Sequence, residues 1–299
     1  EPPPVGWIAI MGLMTGNGPL GRRPAGRFNF ESPAPGSAVY LEPSPKRVRV
    51  VVEGETVADS RAVKLLHESG HQPIYYFPPE DVRADLLEPS ERVTRCPKKG
   101  EAFYHSIRVG DRLVENGAWY YPDPIEGAPP IGGLIAFYWN RMTAWFEEDE
   151  EVFVHPRDPY HRIDVLATSR RIRVSLDGEL LAESRRALAV YESNLPPRWY
   201  LPQEDVVAEL ASSDTVTRCP YKGVASYHSI VLPGGQTVPD AVWIYEHPLA
   251  ELVRISGLLA FFNERVDIVL DGERQERPES PWTQGAVRAA NLPPEQTRA

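Results

Sequence analysis

The amino-acid sequence predicts a mainly β protein with short helices, made of two tandem copies of one small domain. Three observations lead to this prediction. The chain has 299 residues, enough for two domains of roughly 150 residues each. Aligned with itself, the sequence matches at an offset of 124 residues. Each copy also begins with alternating, β-branched segments that flank tight turns, as expected of β-hairpins.

The internal repeat is clearest in a block with the pattern Thr-Arg-Cys-Pro-x-Lys-Gly, which occupies residues 94–100 and returns at 217–223. This period far exceeds the roughly 20 to 50 residues of solenoid repeats, so each copy should have a hydrophobic core of its own. Because Met11 and Met14 lie near the start, we expect natural translation to begin there. We predict four segments: a flexible tail at 1–26, a first β domain at 27–150, a second β domain at 151–275 and a C-terminal tail at 276–299.

The elements of each copy follow from local signals. Glu53-Gly54 in the first copy and Asp177-Gly178 in the second predict hairpin turns, because both central residues of such turns need positive φ angles. Residues 60–68 predict a short helix capped by Ser60, and Pro79-Glu80-Asp81 predicts the start of another. The remaining predicted elements are strands at Ala102–Arg108, Gly117–Tyr121 and Leu134–Trp139, with a turn at Gly110-Asp111.

Charge and cysteine content exclude several classes of function. Lys plus Arg number 32 and Asp plus Glu number 42, a formal net charge of −10, whereas a protein that binds nucleic acid should carry a basic surface. We therefore expect no nucleic-acid partner and no membrane partner. Two cysteines cannot form the disulfide framework of a secreted domain, so we predict a cytoplasmic protein. The acidic run at residues 147–151 is interpreted as a solvated domain boundary.

Alternation in two neighbouring strands predicts an aromatic wall in each domain. Tyr104 and Ser106 share one face of the first strand, with His105 on the other, and Trp119 and Tyr121 share a face of the next. If these faces align, they form an apolar wall with a few polar groups, as in most small-molecule sites. The alternative is that the aromatic residues only pack the core. The predicted ligand-binding residues are Tyr104, Ser106, Trp119, Tyr121, Tyr227, Ser229, Trp243 and Tyr245.

The repeated block offers a second possibility, which is enzymatic chemistry. Cys96 and Cys219 occupy equivalent positions beside lysine and arginine residues, and nearby positive charge lowers the pKa of a thiol. Lys99 and Lys222 should lie at the rim of the aromatic wall. The candidate catalytic residues are therefore Cys96, Lys99, Cys219 and Lys222, and a buried structural cysteine is the alternative.

The sequence predicts no metal and no cofactor. It has no Cys-x-x-Cys pair, and one cysteine per copy cannot supply the four ligands of a structural zinc site. His155, Asp158 and His161 are spaced by three, but Pro156 and Pro159 would break the helix needed to align them. The P-loop pattern that binds phosphates is missing from the sequence as well.

The sequence resembles tandem two-copy members of the bacterial and fungal domain-of-unknown-function family numbered four hundred and twenty-seven. The resemblance covers about residues 28–272 and implies small β-tent-like domains. A nucleotidyltransferase-like label accompanies this family, but the sequence has no Gly-Ser with a paired Asp-x-Asp to hold two magnesium ions. The resemblance rests on the Thr-Arg-Cys-Pro-x-Lys-Gly block, on Ala118-Trp119 with Pro122-Asp123-Pro124, on Ala136-Phe137-Tyr138 and on the junction Glu147–Tyr160.

Three functions remain open from the sequence, and we rank them in this order. The first is a protein that binds a small molecule in an aromatic-lined pocket of each repeat. The second is an enzyme that uses the cysteine or lysine of the repeated block, for example in group transfer. The third is a scaffold that presents an acidic surface to another protein.

Overall fold

The computed structural model describes residues 13–14, 18–21, 26–29, 38–278 and 280. These residues divide into two compact units, one ending at Pro159 and the other beginning at Tyr160. Each unit contains one seven-stranded and one four-stranded antiparallel sheet. The structure therefore confirms the predicted pair of similar, mainly β domains. Met11 and most of the predicted C-terminal tail lie outside the described residues.

The strands of the first domain form a large sheet in the order β1-β4-β5-β9-β8-β7-β6 and a small sheet in the order β11-β10-β2-β3. Short 3-10 helices lie at Pro79–Asp81, Ala84–Leu86 and Trp139–Arg141. The strands are β1 (Val39–Pro43), β2 (Val48–Val52), β3 (Glu55–Ser60), β4 (Lys64–Glu68), β5 (Ile74–Phe77), β6 (Leu87–Cys96), β7 (Gly100–Val109), β8 (Arg112–Tyr120), β9 (Ile135–Phe137), β10 (Ala144–Glu147) and β11 (Glu150–Glu151).

The second domain repeats this topology strand for strand, with a large sheet β12-β15-β16-β20-β19-β18-β17 and a small sheet β14-β13-β21-β22. Its 3-10 helices are Gln203–Asp205 and Ala250–Ile255. The strands are β12 (Ile163–Ala167), β13 (Ile172–Leu176), β14 (Glu179–Ser184), β15 (Leu188–Glu192), β16 (Arg198–Leu201), β17 (Glu209–Cys219), β18 (Gly223–Val231), β19 (Thr237–Ile244), β20 (Leu259–Phe261), β21 (Asp267–Leu270) and β22 (Glu273–Arg274).

Each large sheet has two apolar faces because successive side chains on a strand point to opposite sides. In the first domain Tyr75 and Phe77 join the core that also contains Val48 and Val50 of the small sheet. Tyr76, between them, belongs to a separate cluster on the opposite face. One face of the sheet therefore packs the core of the domain, and the other carries the aromatic residues singled out from the sequence.

The predicted hairpin turns are confirmed. Asp177 and Gly178 have φ angles of 51° and 89°, and Glu53 and Gly54 have 48° and 83°, so each pair connects two strands in the left-handed region. The predicted short helix at Pro79 is present as a 3-10 helix over Pro79–Asp81.

The helix predicted over residues 60–68 is wrong. Ser60 ends β3, its hydroxyl accepts a hydrogen bond from Ala62 N at 2.9 Å in a turn, and Lys64–Glu68 form β4. Strand β4 pairs with both β1 and β5, and its apolar side chains enter cores on both faces of the sheet. Tertiary pairing therefore overrides a segment whose local capping signal favoured a helix.

The structure also differs from the expected solvated acidic run and the expected flexible tail. Glu147, part of the acidic run interpreted as solvated, is buried, accepts hydrogen bonds from Tyr75 Oη at 2.9 Å and Arg157 N at 3.0 Å, and pairs with Lys46. Met14, within the predicted flexible tail, is buried, and its carbonyl accepts a hydrogen bond from Gly70 N at 3.0 Å. Glu147 of strand β10 and Met14 of the predicted tail are therefore part of the folded first domain.

Candidate functional site

The structure brings together the predicted aromatic residues of the first domain. Tyr104 on β7 lies directly opposite Trp119 on β8, and both belong to one cluster with Tyr121. Tyr104 is 6% exposed, Trp119 9% and Tyr121 5%. The predicted wall therefore exists as a buried aromatic cluster, which we call the aromatic face. The remaining buried members are Leu66, Tyr76, Ala102, Ile131 and Ala136.

The second domain carries an equivalent aromatic face. Tyr227 on β18 lies opposite Trp243 on β19, and Tyr245 follows at the end of that strand. In both domains a threonine of the preceding strand meets the first tyrosine hydroxyl, with Thr94 Oγ1 2.8 Å from Tyr104 Oη and Thr217 Oγ1 2.9 Å from Tyr227 Oη. The same side chains thus occupy the same register positions in both copies.

The repeated Cys-Pro-x-Lys-Gly block forms the turn that holds a covering loop over the aromatic face. Lys99 N donates to Cys96 O at 3.3 Å, and Lys99 O accepts from Ile125 N at 3.2 Å in the loop after β8. Gly100 has a φ of 104°, and a Cβ there would lie 3.3 Å from Asp123 O. Glycine is therefore required by both the backbone angle and the close approach of the loop.

This loop completes the cover of the aromatic face. Gly133 N donates to Tyr121 O at 3.1 Å, and Ile131 between them is fully buried in the cluster. In the second domain Lys222 O accepts from Leu249 N at 3.1 Å, and the 3-10 helix that follows contributes Leu252 and Ile255.

Lys99 does not lie at an open rim, as the sequence predicted, but is buried in an ion pair with Glu68 of β4. Lys98 Nζ reaches the same carboxylate at 3.1 Å. Burial alone would raise the pKa of Glu68, but Lys99, His71 and Lys98 together outweigh it and hold that pKa below its ordinary value. The lysine is thus bound to a carboxylate that the sequence reasoning did not consider.

Lys222 forms the corresponding pair with Glu192 in the second domain. His161 Nε2 lies 3.1 Å from the other carboxylate oxygen, and its ring stacks on Tyr221 at 3.8 Å between centroids. Burial opposes ionisation of Glu192, but Lys222 and His161 hold its pKa at about 2. The pKa of Lys222 is raised because the nearby anionic groups outweigh its burial. Both groups are therefore charged at neutral pH.

The cysteines are free thiols, and both are partly buried. Burial raises the pKa of Cys219, and the Lys222 charge only partly opposes that rise. The thiol is therefore protonated at neutral pH, whereas nucleophilic cysteines depend on the thiolate. This environment disfavours the predicted catalytic role for Cys219.

The predicted serine ligands have structural contacts of their own. Ser106 Oγ accepts a hydrogen bond from Asn116 N at 3.0 Å, and Ser229 Oγ accepts one from Asp240 N at 3.2 Å. Asn116 and Asp240 both have a φ of 50°, at the irregularity where β8 and β19 shift register against their neighbours. The serines therefore brace this bulge.

A tyrosine that sequence reasoning missed lies within the aromatic face of the first domain. Tyr76 is 0% exposed, and its hydroxyl makes no hydrogen bond of standard geometry within the described part of the chain. Its ring meets that of Trp119 edge to face at 6.4 Å. Burial raises the pKa of Tyr76, and a weak hydrogen-bond interaction with the Trp119 side chain opposes part of the rise. In the second domain, the equivalent Tyr200 hydroxyl accepts a hydrogen bond from Trp243 Nε1 at 3.0 Å.

The edge of the first aromatic face is polar and partly exposed. Tyr138 packs on Trp119 at 4.6 Å between ring centroids, and the Arg141 guanidinium lies 4.7 Å from the Tyr138 ring centroid. Arg92 lies 4.9 Å from the centroid of Tyr104 in the same way. Alternation from Ala136 could have placed Tyr138 on this face, but no sequence signal points to the arginines.

In the second domain, side chains of that domain cover the equivalent edge of the aromatic face. Phe262 replaces Tyr138, and the Arg198 guanidinium lies 5.5 Å from the Trp243 ring and 5.9 Å from the Phe262 ring. Arg198 is buried in a bidentate pair with Glu264, with N···O distances of 2.8 and 2.7 Å. In the first domain, Ile74 and Asn140 hold the equivalent sequence positions.

A shallow cavity of about 470 Å³ lies away from the aromatic face, lined by Arg47, Asp59, Arg61, Ala62 and Asp81. Arg47 and Asp59 form an ion pair there, with Nε 2.7 Å from Oδ1. Among the described residues, no group of three or more His, Cys, Asp or Glu side chains could hold a metal ion. The described segments also contain no helix long and apolar enough to cross a membrane.

Two copies of one β domain, each with a buried aromatic face on its large sheet, define a duplicated β-domain protein. The sequence profile of the family described as Domain of unknown function (DUF427) matches residues 40–148 and again residues 164–272. The chain belongs to this family and contains two tandem copies of its domain. No functionally curated protein matches the sequence.

Proposed function

We propose that the protein binds small molecules at the aromatic faces of its two domains, with the first domain as the principal site. The observation that carries this proposal is the Tyr76 hydroxyl, which is fully buried and makes no hydrogen bond of standard geometry among the described residues. A buried hydroxyl without a hydrogen bond costs about 1 to 3 kcal/mol. A ligand that accepts a hydrogen bond from Tyr76 would recover this free energy.

The surroundings of Tyr76 favour a planar ligand with a polar acceptor. Trp119, Tyr104 and Tyr121 supply ring surfaces, and aromatic pairs contribute about 0.5 to 1.5 kcal/mol beyond their buried area. The partly exposed Tyr138 lies at the edge of the face against Trp119. We propose that the ligand enters there, displacing Tyr138 and parting the loop that carries Ile131.

The enzymatic alternative receives less support. Lys99 and Lys222 are each paired with a carboxylate, Glu68 and Glu192, so neither amine is free to approach a substrate as a nucleophile. Burial raises the pKa of the Cys219 thiol. The two ion pairs and the buried thiol are consistent with a structural role for the repeated block beside the covering loop. The geometry therefore favours binding over catalysis.

A thermal-shift screen of planar, oxygen-bearing compounds on the full chain tests the proposal. A compound that binds the first domain should raise the unfolding temperature of the wild type, and Tyr76→Phe should abolish most of that rise. Tyr75→Phe is the matched control, because the neighbouring hydroxyl donates to Glu147 on the opposite face of the sheet. The proposal fails if no compound binds, or if Tyr75→Phe and Tyr76→Phe respond alike.

A further inference from the structure

Two arginines at the edge of the first aromatic face have no acidic partner among the described residues. Arg92 lies over Tyr104 with no ion pair, and Arg141 Nη1 donates only to carbonyl oxygens, Glu115 O at 2.6 Å and Asn116 O at 3.3 Å. Both side chains belong to exposed residues. Two unneutralised guanidinium groups beside one aromatic cluster are unexpected in a chain with a net charge of −10.

The tyrosines beneath these arginines add hydroxyl donors. Tyr104 Oη lies 2.8 Å from Thr94 Oγ1, and its neighbour Tyr138 lies close enough for the two hydroxyls to interact. Arg92 lies over the Tyr104 ring and Arg141 over the Tyr138 ring, so the two cations lie beside two neighbouring tyrosines of one face. Guanidinium groups bind carboxylates and phosphates through charge-assisted hydrogen bonds, which are about twice as strong as neutral ones.

The second domain keeps only part of this arrangement. Arg265 stands at the position of Arg141 and donates to Asp240 O at 3.1 Å, but Thr215 stands at the position of Arg92 and Phe262 at that of Tyr138. The cation over its aromatic pair, Arg198, is already neutralised by Glu264. Among the described residues, two cations without an acidic partner beside one aromatic face therefore occur in the first domain only.

We infer that the first domain recognises an oxyanion, a phosphate or a carboxylate, attached to a small planar group. Arg92 and Arg141 hold the oxyanion, the Tyr104 and Tyr138 hydroxyls donate to it, and the planar group packs toward Trp119. This inference rests on the proposed function and specifies which ligands the first domain prefers. The second domain should show no preference for an oxyanion.

The test titrates the full chain with phenyl phosphate, benzoate, inorganic phosphate and the neutral 4-methylphenol, by calorimetry at low and high salt. At least one of the two aromatic anions should bind more tightly than 4-methylphenol, and its affinity should fall as salt rises. Arg92→Gln should weaken the anion about tenfold. Arg112→Gln, an equal charge change at the start of β8, should leave the affinity unchanged.

Two variants separate the inference from the broader proposal. Tyr138→Phe, which copies Phe262 of the second domain, should weaken the anion while leaving 4-methylphenol unaffected. If 4-methylphenol binds as tightly as both anions, the aromatic site stands and the oxyanion inference is wrong. If Arg92→Gln binds the anions like the wild type, or if no anion binds, the inference is also wrong. Preference between phenyl phosphate and benzoate identifies the oxyanion.

Discussion

Replacing Tyr76 by phenylalanine should stabilise the protein in the absence of ligand, whereas the same change at Tyr200 should destabilise it. The two residues are equivalent, fully buried and packed edge to face on equivalent tryptophans. They differ in that Tyr200 Oη accepts a hydrogen bond from Trp243 Nε1 at 3.0 Å, whereas the Tyr76 hydroxyl has only a weak interaction with Trp119 and makes no hydrogen bond of standard geometry in the described structure. The substitutions are isosteric apart from one oxygen, so neither should create a large cavity.

The magnitudes follow from the hydrogen bonds. Tyr76→Phe removes the cost of a buried unsatisfied hydroxyl, about 1 to 3 kcal/mol. Tyr200→Phe loses a net hydrogen bond and leaves the buried indole N–H of Trp243 without its acceptor, a cost of about 1 to 3 kcal/mol. The free energies of unfolding of the two variants should therefore move in opposite directions.

Equilibrium urea unfolding of the full chain, with hydrogen exchange to assign each transition to its domain, measures both changes. A loss of stability in Tyr76→Phe would show that its hydroxyl is satisfied in solution without a ligand. That result would remove the main support for the binding proposal. An unchanged stability in Tyr200→Phe would show that the 3.0 Å contact with Trp243 contributes little.

Four other predictions concern the repeated block and its ion pairs. Glu192→Gln should lower the free energy of unfolding in urea by about 3 to 5 kcal/mol, because it leaves Lys222 buried and unpaired. Glu183→Gln, which removes a surface ion pair, should lower it by about 1 kcal/mol or less. Folding lowers the pKa of Glu192 from 4.5 to about 2, so the contribution of its charge to stability is complete above pH 4.5 and declines toward pH 2. If the free energy of unfolding of Glu192→Gln falls with decreasing pH as steeply as that of the wild type, this prediction is wrong. Cys219 should react with iodoacetamide more slowly than free cysteine at pH 7.5, because burial raises its pKa, and a rate equal to that of free cysteine would refute this. Gly100→Ala should lower the unfolding temperature more than Gly127→Ala. Both glycines have a positive φ, but only at Gly100 would a Cβ lie 3.3 Å from a backbone atom, Asp123 O. Equal losses in unfolding temperature would contradict this steric explanation.

The sequence was most informative where local chemistry and periodicity act together. Asp177-Gly178 specifies its turn because both residues accept positive φ, and alternation along two strands placed Tyr104 and Trp119 on one face. The segment at 60–68 was misassigned because its capping serine and helix-compatible composition are local signals. Its strand pairing depends on partners that are distant in the sequence.

The polar part of the candidate site could not be predicted in the same way. Lys99 meets a carboxylate on β4, thirty-one residues earlier in the chain, so its burial depends on how the large sheet brings those strands together. Tyr76 was overlooked because an unpartnered hydroxyl is a property of the packed structure. The convergence of Arg92 and Arg141 likewise requires two separate chain segments to meet.

The most direct test of ligand binding at the first aromatic face is nuclear magnetic resonance with labelled tyrosine and tryptophan side chains. When a compound that stabilises the full chain is present, we predict nuclear Overhauser effects from ligand protons to the rings of Tyr104, Tyr138 and Trp119. Binding accompanied by ring contacts elsewhere, or by none to these three rings, would contradict the central claim.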